Sequence, residues 1–158
     1  ATTLGLTVES AVAVLQRVEV LGRLTARVDR RGVRWWFDVA HNPQAMAYVR
    51  ARWDAYRVTG RRIVVLGLLA DKDASGCLDA LGESFDRLVI VGLSGARGRT
   101  AEALSAIATA GGRTVWQSFA TLRDALTALP GDLHAEDAVL VLGSFYMVAD
   151  ALTHDNFL

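Results

Sequence analysis

Apolar positions along the chain fall into short continuous runs that alternate with amphipathic stretches. Ile63-Val64-Val65-Leu66-Gly67-Leu68, Leu88 to Val91 and Ala138 to Leu142 are runs of the kind shown by strands buried on both faces. The segments between them carry helix signals. Asn42 before Pro43 pairs an N-cap with a favoured first helical residue, and the helix to about Tyr56 puts Ala45, Met46, Val49 and Trp53 on one face. Asp73 caps a helix carrying Cys77, Leu78, Leu81 and Phe85. Thr100 caps another through Leu104 and Ile107, ended by Gly111-Gly112. Thr114 to Trp116 reads as a short strand, Leu122 to Leu129 as a helix stopped by Pro130-Gly131, and Ser144 opens the last helix. Upstream, Glu19 to Val28 and Val33 to Val39 read as strands around the turn Asp29-Arg30-Arg31-Gly32. Trp35 and Trp36 then face opposite sides of one strand as packing residues. Val8 to about Arg17 reads as a helix with no obvious partner.

Strand–helix units in series predict an α/β fold: a Rossmann-like, mostly parallel sheet with helices on both faces. Ligands in such sheets bind outside the carboxyl ends of the strands. Chemistry is therefore expected at Asp38 to Asn42, Ala70 to Asp73, Gly92 to Arg99 and Gly143 to Phe145.

Composition narrows the classes. The chain's 158 residues suit one domain, and 52% hydrophobic against 22% charged residues argues against disorder. Seventeen basic residues balance 17 acidic ones, so no long-range attraction to nucleic acid or an anionic membrane is expected. The single cysteine, Cys77, cannot form an internal disulfide or a multi-cysteine zinc site. No apolar run approaches the roughly 18–20 residues of a membrane span, and Ala1-Thr2-Thr3-Leu4 lacks a basic signal region. The expectation is a reduced, cytoplasmic protein. Lys72 is the sole lysine in an arginine-rich chain, which makes it a candidate for a place where a compact ammonium is wanted, against the default of an ordinary surface lysine.

Four loops can carry chemistry. In Asp38-Val39-Ala40-His41-Asn42-Pro43 a carboxylate, an imidazole and a carboxamide meet at a helix start. Asp38 can accept from ribose hydroxyls and His41 can contact a phosphate, or both can satisfy backbone groups while Asn42 caps the helix. Lys72 sits between two acids after a buried strand, placed either to hold a substrate carboxylate or as a solvated loop residue. Ser144, after Gly143, is either a small-anion ligand or an ordinary N-cap. The stretch Gly92 to Thr100 lacks the dinucleotide glycine spacing and reads as a mobile loop capped by Thr100. No Gly-x-x-x-x-Gly-Lys-[Ser/Thr] phosphate loop occurs, and His41, His134 and His154 are too scattered to suggest a metal site.

Taken in order, Asp38-Val39-Ala40-His41-Asn42-Pro43, Gly67-Leu68-Leu69-Ala70-Asp71-Lys72-Asp73 and Gly143-Ser144-Phe145 resemble the C-terminal domain of bacterial dihydrofolate synthase/folylpolyglutamate synthase, a family that belongs with the Mur ligases. Ser94 to Glu102 also looks like that family's Gly/Arg loop and following helix. The fit runs over about residues 17–153.

The resemblance implies an ATP-dependent ligase that phosphorylates a carboxylate of dihydropteroate or a tetrahydrofolate (poly)glutamate and joins it to L-glutamate. It implies ATP and Mg²⁺ as cofactors. The phosphate loop, the metal ligands and most of the pterin pocket would lie on an N-terminal ATPase domain, so residues 1–18 would be the end of that domain and its linker and 19–158 the glutamate-binding domain. By matched position, Arg23 would reach the ATP phosphates, Asp38 would bind the ribose, His41 would sit near the phosphates, and Lys72 and Ser144 would hold the incoming glutamate, with His41 and Lys72 counted as catalytic. Leu21 replaces the family's proline in the turn before Arg23. Such a lobe alone would be inactive. The competing expectations are a lobe of a peptidoglycan-precursor Mur ligase and a non-catalytic small-ligand binding module.

Overall fold

A computed structural model describes residues 23–154 and 157 of the chain. The helix expected at Val8 to Arg17, the start of the first expected strand at Glu19 and all of residues 1–18, expected as the end of a preceding domain and its linker, lie outside the described residues. The elements run β1 (Thr25–Val28), β2 (Arg34–Asp38), α1 (Pro43–Asp54), β3 (Arg62–Leu66), α2 (Ala74–Leu81), β4 (Arg87–Val91), α3 (Ala101–Ala110), β5 (Val115–Phe119), α4 (Leu122–Ala128), a 3-10 turn (Leu129–Asp132), β6 (Ala138–Leu142) and α5 (Phe145–Leu152).

The strands form one sheet in the order β1-β2-β6-β3-β4-β5. β1 pairs antiparallel with β2, and every other pairing is parallel. The hairpin between β1 and β2 is knotted by Asp29, whose carboxylate accepts from the amides of Arg31 and Val33 and from the indole N–H of Trp35. Gly32 closes it at φ 88°, a backbone angle that favours glycine, and donates to the Asp29 carbonyl.

The central strands are apolar on both sides because helices cover both faces. On one face Trp36, Val64, Leu66, Leu88, Ile90 and Leu140 pack against Met46, Val49 and Trp53 of α1, Cys77, Leu78 and Leu81 of α2, and Leu104 of α3. On the other, Trp35, Phe37, Ile63, Val65, Val89 and Val141 meet Leu122, Ala125 and Leu126 of α4 and Met147, Val148 and Ala151 of α5. Trp35 and Trp36 therefore serve opposite layers. Below the sheet, the buried carboxylate of Asp137 takes the Arg61 guanidinium at 2.6 Å and the backbone N–H groups of Arg61 and His134. Burial pushes this acid up, but those donors together hold it below the usual carboxylate range.

Three elements differ from expectation. α2 ends at Leu81, because Gly82 turns away at φ 60°, so Phe85 packs on the core from the turn that follows. β5 runs on to Phe119 through Gln117 and Ser118, which an edge strand beside β4 alone can carry half-exposed. Pro130 does not stop the chain's helical path; it continues as the 3-10 turn.

β6 lies between β2 and β3 although it is last in sequence. After β2 and β3 the chain passes to α1 and α2 on one face, whereas after β6 it passes to α5 on the other. Neighbouring loops thus diverge at this end of the sheet, the arrangement that opens a ligand crevice in α/β folds.

Candidate functional site

The strand register brings three of the expected loops to one place. Asp38 pairs with Leu142, and Leu142 with Leu66, so β2, β6 and β3 end level with one another. The loops that follow carry His41, Ser144 and Lys72 respectively. Adjacent strands lie about 4.8 Å apart, so the three loops leave the sheet side by side.

Asp38 organises the first loop. Its side chain is buried, one oxygen accepts from the amide of Ala40 at 2.8 Å, and the other accepts from the amide of Leu24 at 2.9 Å. Burial pushes its carboxyl above the usual range, while those two N–H groups and the Arg23 and Arg52 charges pull the other way. The same carboxylate thereby fixes the segment carrying Arg23 and the turn carrying His41. Leu24 is held at φ 47°, the one non-glycine residue with positive φ among the described residues. A ribose contact by Asp38 would have to use the lone pairs its backbone partners leave free.

His41 is half-buried, and its Nδ1 lies 2.8 Å from the carbonyl oxygen of Val39. A carbonyl only accepts, so Nδ1 carries the proton and Nε2 is left for an outside partner. Neutral imidazole presents a lone pair there; only imidazolium donates to a phosphate. Asn42 caps α1 by accepting from Ala45 at 2.9 Å, as the sequence predicts.

The β6 loop presses on the β3 loop. Gly143 stands at φ 138°, and a Cβ there would lie 1.6 Å from the carbonyl oxygen of Gly67, whose own amide donates to Leu142. Ser144 is buried and caps α5, its hydroxyl accepting from the Met147 amide at 3.2 Å. That cap uses a lone pair and leaves the O–H free to donate.

Lys72 is half-exposed, with its ammonium 3.7 Å from Asp71. Asp71 also accepts from Arg97 at 2.8 Å, which holds its carboxyl below the usual range. Asp73 caps α2 by accepting from Gly76. The Gly92 to Arg99 stretch, read from sequence as mobile, is tied down in the structure. Gly98 bridges Leu69, the Ala70 amide donates to the Arg97 carbonyl, and the Leu93 amide donates to the Arg99 carbonyl. Arg97, Arg99 and Asp71 fall in loops where chemistry is expected but carry no individual role from sequence; the Arg-Gly-Arg run flags the segment, but its partner loop lies about 30 residues upstream and leaves no local trace.

A concavity of about 600 Å³ opens on the Gly92 to Arg97 loop, beside the residues expected to bind ligands. Leu93 and Arg97, Thr121, and Tyr146 and Asp150 of α5 are among its walls. Asp38, His41, Lys72 and Ser144 do not line it. Among the described residues no three His, Cys, Asp or Glu side chains converge as metal ligands. No described helix is long and apolar enough to cross a membrane.

Comparison with known proteins agrees with this geometry. The family model for "Mur ligase, glutamate ligase domain" matches residues 22–145. The dihydrofolate synthase/folylpolyglutamate synthase of Escherichia coli (strain K12) is 41% identical over 116 residues, covering 73% of this chain and 26% of that protein. The enzyme of the same name from Haemophilus influenzae is 31% identical over 153 residues, covering 86% and 35%. Among solved structures, a bifunctional folylpolyglutamate synthase/dihydrofolate synthase with Mn, AMPPNP and L-glutamate bound superposes with a TM-score of 0.78 at 31% identity, over 95% of this chain and 35% of that one. E. coli FolC in complex with DHPP and ADP gives 0.76 at 34% identity, over 95% and 34%. The chain thus spans about a quarter to a third of the length of these relatives. With the family model, the mostly parallel sheet and the three level loops in accord, the chain belongs to the Mur ligase glutamate ligase domain family.

Proposed function

We propose that this chain is the nucleotide- and glutamate-facing lobe of an ATP-dependent amide ligase that adds L-glutamate to dihydropteroate, to tetrahydrofolate (poly)glutamates, or to both. The reading is supported most by the common level at which β2, β6 and β3 end, which sets a phosphate-facing loop beside two carboxylate-facing ones. The substrate carboxylate attacks the γ-phosphorus of ATP and releases ADP, giving an acyl phosphate. The glutamate amine attacks the acyl carbon, and the tetrahedral intermediate expels inorganic phosphate and a proton, leaving the amide. This chemistry depends on positioning and charge stabilisation.

In this reading Arg23 and His41, held on either side of Asp38, meet the phosphates, His41 through Nε2. Asp38 accepts from the ribose. Lys72 takes a glutamate carboxylate as a point charge, and Ser144 donates its spare O–H to the same substrate at the start of α5. Residues 1–18 join the lobe to an N-terminal ATPase domain, which would supply the phosphate loop and the Mg²⁺ ligands.

The test is ligation measured with this chain alone and with the chain fused to the family's N-terminal domain, given ATP, L-glutamate and dihydropteroate. The fusion is expected to turn over and the chain alone is not. Robust ligation by the chain alone contradicts the split site. A fusion that prefers a UDP-muramyl acceptor would favour the peptidoglycan-ligase alternative.

A further inference from the structure

The Lys72 loop has a brace on the neighbouring strand's loop. Arg99 Nη2 donates to the carbonyl oxygens of Ala70 at 2.8 Å and Lys72 at 2.9 Å, and lies 3.4 Å from that of Leu69. Those carbonyls sit in the turn between β3 and α2, outside any strand ladder. Arg99 Nε is buried without a partner, and no carboxylate lies within ion-pair distance of this guanidinium among the described residues. The charge is therefore met by the dipoles of the Lys72 loop. The brace is held stiffly at its own base. A Cβ on Gly98 would lie 1.9 Å from the Leu93 carbonyl oxygen, the Leu93 amide closes the same loop on the Arg99 carbonyl, and the Ala70 amide ties the Lys72 loop to the Arg97 carbonyl.

An ammonium on a four-carbon stem has little direction of its own. Its reach is set by the backbone that carries it. We infer that Arg99 is a positioning residue for glutamate binding, acting through the carbonyls of Ala70 and Lys72 to aim the Lys72 ammonium. This rests on the proposed role of Lys72 in the ligase reading. Both short bonds leave one nitrogen, Nη2, so a lysine at position 99 keeps the charge and a multiple donor but loses the planar guanidinium that fixes their direction. A methionine of similar length loses both.

The experiment uses the complete two-domain enzyme. Steady-state constants for L-glutamate and ATP are measured for the unsubstituted enzyme, Arg99→Met, Arg99→Lys, Lys72→Ala and the double variant Arg99→Met/Lys72→Ala. Arg99→Met is expected to raise the glutamate KM about tenfold, the scale of a lost charge-assisted contact, and to leave the ATP KM within about twofold. Arg99→Lys recovers part of that loss. The double variant shows the same glutamate KM as Lys72→Ala, because the brace acts through the lysine. A glutamate KM unchanged by Arg99→Met, an equal rise in both KM values, or an Arg99 effect of the same size with and without Lys72 would each overturn the inference. Should Arg99→Met fail to fold, Arg99→Lys is carried through the same cycle and judged by the same outcomes. An unsubstituted enzyme with no glutamate-dependent turnover would instead overturn the parent reading of Lys72.

Discussion

Gly143→Ala tests the contact between the loops that carry Ser144 and Lys72. The added Cβ would start 1.6 Å from the Gly67 carbonyl oxygen and 2.7 Å from its carbonyl carbon, where real Cβ contacts essentially never fall below 3.0 Å. The loops must therefore part by more than an ångström. Gly67 has little room to yield, since Met147 and Val91 crowd it from behind. Forcing alanine to φ 138° costs about 1–3 kcal/mol, and the overlap adds about 1–3 kcal/mol of overpacking. The expected loss is about 2–6 kcal/mol, a large share of a typical domain's stability. The control is Gly112→Ala, at φ 81° with nothing within 4 Å of the new Cβ, which carries the backbone cost alone. Urea unfolding followed by tryptophan fluorescence measures both. Gly143→Ala is expected to lower the midpoint well beyond Gly112→Ala, with m unchanged. Where the variant remains folded in the two-domain enzyme, glutamate turnover should fall by up to about a hundredfold, as misplacement of about an ångström does. Equal midpoints for the two variants would refute the claim that these loops are packed together.

Asp137→Asn replaces the acceptor of the Arg61 pair, and the half-exposed guanidinium limits the cost to about 2–3 kcal/mol at pH 7. Because the folded carboxyl is held low, its contribution is present above the unfolded value of about 3.9 and is lost as pH falls through the folded one. Urea midpoints across that acid range should fall for the natural chain and stay flatter for the variant; parallel curves would count against it. His41→Phe should raise the ATP KM roughly tenfold with little change for glutamate. An unchanged ATP KM in His41→Phe would exclude the imidazole as a phosphate contact.

Local chemistry made much of this architecture legible. Asn42, Asp73, Thr100 and Ser144 each cap the helix their position predicts, because a side-chain oxygen before an amphipathic run has few better uses. The apolar runs became central strands because only a doubly covered sheet buries every residue of such a run. The insertion of β6 between β2 and β3 was not legible, since nothing in Ala138–Leu142 says which strands it joins. The same holds for the Gly92 to Arg99 loop. Its glycines suggest freedom when read singly, and its restraint comes from carbonyls of a different turn. Asp38 stood out as a candidate ribose acceptor, whereas its bonds to Leu24 and Ala40 depend on a chain segment that only the fold brings back to it.

The most direct measurement is the glutamate KM of Lys72→Ala in the two-domain enzyme, set beside its ATP KM. A rise of tenfold or more for glutamate with ATP unchanged is the predicted outcome, because in the proposed reading the ammonium meets a carboxylate and the nucleotide is gripped elsewhere. A glutamate KM equal to that of the unsubstituted enzyme would contradict the assignment of this lobe as the wall that receives the amino acid.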